Sequence, residues 1–204
     1  MRTNTRSFLG AEVELESVLV PLDLVSVFGR LAPVEVDFGS GDGSFLVALA
    51  ERSPERDFLG VEKLPGRFQS GCRRIGARGL SNARILQLEI SHALYLLPRG
   101  SIDVFYLLFP DPWPKRRHQL RRVVTTEFLR AVARALKSHG AVRIKTDQED
   151  YFAAMQRTLR DAPELNAIVE DGEAALPQTT FEKRFLQAGA PIYRLELRKT
   201  VANG

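Results

Sequence analysis

The chain has 204 residues, 44% of them hydrophobic and 26% charged, the make-up of one globular domain with a sizeable core. Its net charge of +4 and pI of about 9.5 are too modest to imply a polyanionic partner by themselves. No apolar window is long enough to cross a bilayer, and "MRTNTRSFLGAEVELE" has no apolar core of signal-peptide length, so a cytoplasmic protein is expected.

Along the chain, Asp23 is expected to cap a short amphipathic helix in "PLDLVSVFGRLAP" that Gly29 ends. Residues 1–32 are therefore read as an N-terminal arm with a short helix, and residues 33–200 as the main domain. "VEVDF" (34–38) reads as a strand and "GSFLVALAERS" (43–53) as a helix; "DFLGVE" (57–62) is a strand. "LPGRFQSGCRRIGARG" is a helix weakened by glycines, and its Cys72, the sole cysteine, is expected to be a buried or idle thiol. "ARILQLE" (83–89) is a strand, "SHALYLLP" a short helix and "SIDVFYLLF" (101–109) a buried strand. "HQLRRVVTTEFLRAVARALKSHG" is expected to be one long amphipathic helix closed by Gly140, with His139 as a cation near its end. "AVRIKTD" (141–147) is a strand and "QEDYFAAMQRTLRDAP" a helix. "ELNAIVED" and "IYRLELRKTV" are a strand pair separated by the loop "GEAALPQTTFEKRFLQAGAP". Strands alternating with helices imply an α/β fold of mostly parallel sheet, with an antiparallel C-terminal edge strand.

The turn after the first strand, "DFGSGDGS", carries Gly39, Gly41 and Gly43, which allow a tight turn and close approach to a ligand. Four successive strands carry an acid at or near one edge: Glu35, Glu62, Glu89 and Asp111. Ligands of open parallel sheets bind at the carboxyl ends of the strands. A fringe of carboxylates there repels a diphosphate and suits a cation that bears a ribose. S-adenosylmethionine is such a ligand.

The most unusual stretch is "FPDPWPKRRHQLRR". Three prolines stiffen a loop around Asp111, and Lys115, Arg116, Arg117, His118, Arg121 and Arg122 follow at once. Placed at a helix start, these cations are disfavoured by the macrodipole unless a bound anion compensates, which points to phosphate contact. Trp113 has two readings, a stacking platform for a base and a core aromatic. His92, His118 and His139 show no metal-ligand spacing, and no metal is expected.

The "FPDPWPKRRH" string resembles the signature of the bacterial tRNA (guanine-N7-)-methyltransferases, and the resemblance extends over residues 22–197 through "DFLGVE", "GLSNARIL", "IKTD" and "TTFEKRF". It implies a Rossmann-like methyltransferase domain over residues 33–200, S-adenosylmethionine as cofactor and tRNA as substrate, methylated on a guanine of the variable loop. Cofactor contacts are then expected from Glu35, Gly39, Gly41, Glu62, Glu89 and Asp111. Substrate contacts are expected from Lys115, Asp147, Thr179, Thr180, Phe181 and Glu182, and catalysis from Asp111. Three positions depart from the family pattern: Asp37 stands where a glycine is usual, Glu89 where an aspartate is, and Gln148 where an aromatic is frequent. The expected partner is tRNA, with no membrane and no metal, for a monomer or homodimer. Three other readings remain open: an exocyclic-amine methyltransferase, which uses a similar Asp/Asn-Pro-Pro-aromatic loop; a nicotinamide-dependent oxidoreductase; and a catalytically silent RNA-binding protein of the same fold.

Overall fold

The computed structural model describes residues 10–168 and 176–200. The beginning of the expected arm (1–9), the end of "ELNAIVED" and the first part of the following loop (169–175), and residues 201–204 lie outside the described residues. Seven strands are ordered β3-β2-β1-β4-β5-β7-β6 in one sheet. The chain divides into two compact units at Pro98/Arg99.

The first unit holds α1 (Leu24–Phe28), β1 (Val34–Phe38), α2 (Ser44–Arg52), β2 (Asp57–Val61), α3 (Pro65–Arg78), β3 (Ala83–Leu86) and α4 (Ile90–Leu96). Asp23 caps α1 as expected, its carboxylate accepting from the Val25 and Ser26 amides, and Gly29 closes it in the left-handed conformation. Strands β1 and β2 are buried at every position, the mark of a parallel sheet covered on both faces. They pair in parallel, as do β2 and β3. The N-terminal arm runs alongside β3: the Val13 amide donates to Ile85 O, and the Ile85 amide to Ala11 O. One glycine of α3, Gly71, has a packing reason. A Cβ on Gly71 would fall 2.3 Å from Ile85 Cδ1, so any larger residue there would require Ile85 to move. Asn82 Nδ2 reaches the carbonyls of Ala50, Ser53 and Arg56, tying the end of α2 to the strand that follows it.

The second unit holds β4 (Ile102–Leu108), a 3-10 turn (Arg116–Arg121), α5 (Thr126–Ala135), β5 (Leu136–Thr146), α6 (Glu149–Leu159), β6 (Leu165–Ile168), α7 (Thr180–Gln187) and β7 (Tyr193–Lys199). β4 and β5 are parallel, whereas β7 runs antiparallel to both β5 and β6. The antiparallel strand is thus β7, inserted beside β5, and β6 forms the edge.

The long helix expected over 118–140 is not one element. The β-branched run Val123-Val124-Thr125 disfavours helix, and Thr125 caps a new one by accepting from the Phe128 amide. That helix stops at Ala135 because Leu136 pairs with Ile102, and residues between there and Ala141 form a bulge. His139 lies in β5 at φ 63, not at a helix end. The expected loop 172–191 contains α7, whose start is a capping pattern, Thr179-Thr180-Phe181-Glu182; Thr179 Oγ1 accepts from the Glu182 amide at 2.9 Å.

Candidate active site

The glycine loop follows β1. Gly39, Gly41 and Gly43 have φ of 72, 58 and 73°, a region that L side chains enter only with strain. The Gly39 and Ser40 amides donate to Val61 O, and the Gly41 amide donates to Glu62 Oε2 at 2.9 Å. The other oxygen of Glu62 accepts from the Leu64 amide at 2.8 Å, at the entry to α3. Glu62 is buried and fixes both the glycine loop and the turn after β2. A carboxylate offers about four lone-pair sites, so two backbone bonds leave capacity for ribose hydroxyls. Beside Gly39 and Gly41 a Cβ would meet nothing closer than 3.9 Å, so this face of the loop is open. Ser40 Oγ is buried without a hydrogen-bond partner. An open glycine face, an unsatisfied hydroxyl and a cluster of acids fit a cationic nucleoside such as S-adenosylmethionine.

The four acids expected at one edge are not equivalent. Glu35 sits in the first half of β1, and its carboxylate takes Arg56 at 2.9 Å. Glu89 occupies the residue before α4, half-exposed, 3.3 Å from Lys63 Nζ. Asp37, the β1 acid nearer the loop, is the one that feels the charge of Glu62. Burial, with that charge second, pushes its carboxyl up to about 8. Asp37 has an ordinary strand backbone, so the usual glycine is not demanded by conformation there. Sequence reasoning treated Asp37 as a departure from the family pattern and not as the buried acid nearest the glycine loop. The signal was available: alternation puts Glu35 and Asp37 on one face, and Asp37 lies two residues before the first glycine. Cys72 is half-buried and pushed up to about 11, chiefly by burial, which leaves it an unreactive thiol.

In the second unit, the proline loop follows β4. Phe109 and Trp113 have φ of 56 and 43°, left-handed positions without glycine, each costing about 1–3 kcal/mol. The Phe109 amide donates to Lys145 O at 2.8 Å, and its ring packs 5.2 Å from that of Phe185 on α7. Trp113 meets His118 edge-on at 5.8 Å, and the Arg121 guanidinium lies 5.0 Å from its ring centroid. Its surroundings are therefore the 3-10 turn. Asp111 itself is exposed. Its charge contributes to raising the Tyr151 hydroxyl, after the larger effect of burial.

The basic residues separate. Lys115, Arg116, Arg117 and Arg121 are exposed on or before the 3-10 turn, whereas Arg122 is buried. The macrodipole reasoning does not apply, because the block precedes α5 instead of starting it. The remaining expected substrate residues divide likewise. Glu182 is 2% exposed and pairs with Lys145 Nζ at 2.8 Å, Thr179 is a helix cap, and Asp147 accepts from Gln148 Nε2. Thr180 is exposed and Phe181 45% so, both in the first turn of α7. Among the described residues, no group of three or more His, Cys, Asp or Glu could hold a metal ion, and no helix is long and apolar enough to cross a membrane.

Residues 31–195 match a family described as a putative methyltransferase. A tRNA (guanine-N(7)-)-methyltransferase of Leifsonia xyli subsp. xyli is 42% identical over 87% of this chain and 81% of its own length. The chain belongs to this family. A second tRNA (guanine-N(7)-)-methyltransferase, from Paracidovorax citrulli, is 36% identical over 93% of this chain and 78% of its own. Among solved structures, the 16S rRNA methyltransferase KamB superposes with a TM-score of 0.66 over 88% of this chain and 93% of its own. Its 15% identity makes this a likeness of fold alone. The expected Rossmann-like methyltransferase fold is thereby borne out.

Proposed function

We propose that the chain, like the relatives whose family it shares, methylates N7 of a guanine in tRNA, with the guanine lying in the variable loop. The observation that carries the reading is the proline loop: a carboxylate set between Pro110 and Pro112 on a backbone held out of its ordinary range. When bound, S-adenosylmethionine supplies the methyl group and the positive charge that passes to the purine. The glycine loop and Glu62 hold the nucleoside end of that ligand, with Glu35, Glu89 and Asp111 as the further cofactor contacts. Guanine N7 carries a lone pair and no proton, so no side chain is needed as a general base. What the chain contributes is position, plus a fixed negative charge where positive charge develops. Asp111 has the second role. Lys115, Asp147 and the Thr179–Glu182 segment contact the substrate, and the exposed arginines of the 3-10 turn take its phosphates. A target guanine outside a regular A-form helix is required, since there the N7 edge is hidden in a narrow groove. Residues 33–200 serve as the methyltransferase domain and 1–32 as its arm, in a cytoplasmic monomer or homodimer.

Labelled methyl transfer to bulk tRNA, followed by nucleoside analysis, tests the reading. Label in 7-methylguanosine supports it; label in an N6-methyladenosine or N4-methylcytidine fraction favours the exocyclic-amine alternative, and no transfer favours the silent binder.

A further inference from the structure

We infer that Arg122 is a positioning residue that acts through Pro112 to hold Asp111, and not one of the phosphate-binding cations of the basic block in which it lies. The inference rests on the proposed role of Asp111. The block places several cations in eight residues, and Arg122 is the buried one: its side chain is 8% exposed. Its Nε donates to the carbonyl of Pro112 at 2.8 Å, and its Nη2 donates to Asp150 Oδ2 at 2.7 Å. The guanidinium lies 4.6 Å from the centroid of the Tyr151 ring. The Tyr151 hydroxyl in turn accepts from the Val124 amide, fixing the chain just after Arg122. Two successive residues of α6 therefore seat this arginine.

The loop needs such an outside hold. Pro110, Pro112 and Pro114 have no amide hydrogen, and the Phe109 amide is already used on Lys145 O. A loop so poor in donors cannot fix its own shape through backbone bonds, least of all with Phe109 and Trp113 left-handed. It can be fixed by donors brought to its carbonyls. The Pro112 carbonyl lies in the Pro112–Trp113 peptide, one residue past Asp111, so the bond from Arg122 anchors the loop directly beside the residue that presents the carboxylate. The planar fork allows Arg122 to serve Pro112 and Asp150 at once; a lysine ammonium is a point charge on a flexible stem and does not reproduce it.

The test uses the full-length protein with Arg122→Lys, which keeps the charge, and Arg122→Ala assayed with and without guanidinium ion. Trp113, the sole tryptophan, reports the loop through acrylamide quenching. The expected result for Arg122→Lys is a kcat about ten- to a hundredfold lower, increased Trp113 quenching, and a salt dependence of tRNA binding equal to wild type. Guanidinium should restore part of the turnover of Arg122→Ala and leave that of Asp111→Asn unchanged. Unchanged kcat and quenching in Arg122→Lys would overturn the inference; so would a flattened salt slope in Arg122→Ala, which would make Arg122 a phosphate-binding residue. Should both variants fail to fold, Asp150→Asn removes one seat of Arg122 at a half-exposed carboxylate, and unchanged quenching there also overturns it. Quenching is read without substrate, so it decides the hold on the loop even if wild type makes no 7-methylguanosine.

Discussion

The glycine loop after β1 and the proline loop after β4 reach left-handed backbone by opposite means. The first uses residues for which positive φ is free, and its amides bond to Val61 O and Glu62 at the end of the neighbouring strand. The second forces Phe109 and Trp113 into that region and is held there by side chains, Arg122 ten residues past Pro112 and Phe185 on α7. A loop whose glycines enter that region without strain does not need side chains to force its shape. A loop whose shape is borrowed is sensitive to residues that never touch substrate. Damage to one loop should therefore leave the shape of the other in place, and the substitutions below probe the two regions in turn.

The largest effect belongs to Asp111→Asn, which keeps the shape of the side chain and removes its charge. Turnover should fall about 10²-fold or more while the fold stays near wild type. Near-normal kcat in the folded variant would remove Asp111 from the catalytic role. Glu62→Ala comes next and should act on the other loop. It deletes the acceptor for the Gly41 and Leu64 amides, so S-adenosylmethionine binding measured by calorimetry should weaken by about 1–3 kcal/mol. Trp113 quenching should not change; a change would mean that the two loops are not independently held.

Asp37→Asn probes burial in the first unit through pH. The carboxyl sits at about 8 in the folded chain against 3.8 ordinarily. Below pH 3.8 both folded and unfolded chains hold the proton. Between there and about 8 the folded chain holds more protons than the unfolded one, so stability declines as pH rises through this window and levels above it. The variant should match wild type in thermal unfolding at the acid end of the window and become progressively the more stable of the two toward its alkaline end. Parallel melting curves at every pH would show that Asp37 is ionised in the fold. The smallest effect is expected from Arg116→Ala with Arg117→Ala. The log–log salt slope for tRNA binding should flatten by roughly 0.7–0.9 for each phosphate that the pair neutralises, with cofactor affinity unaffected. Identical slopes would make this pair a solvated face.

Much of this was legible in the sequence because it depends on near neighbours. The alternating strands and helices, the Asp23 cap and the three loop glycines each have a local cause, and the structure contains them. The features that were misread depend on distant partners. A helical apolar period over 118–140 does not reveal that Leu136 will pair with Ile102. A basic run does not reveal that Arg122 turns inward to Asp150, 28 residues on, nor "TTFE" that Glu182 pairs with Lys145, 37 residues earlier. Asp37 is a different case, since its spacing to Gly39 was readable and only its burial beside Glu62 was not.

The catalytic reading of the site depends on N7 of guanine being the methyl acceptor. Methyl transfer to a tRNA transcript in which 7-deazaguanosine replaces guanosine addresses this at the reacting atom, because a carbon then stands where the N7 lone pair was. Ordinary transfer to the guanosine transcript is expected and none to the 7-deaza transcript, with the latter still bound as a competitor. Transfer to both at similar rates would refute the N7 assignment and place the methyl group on another atom.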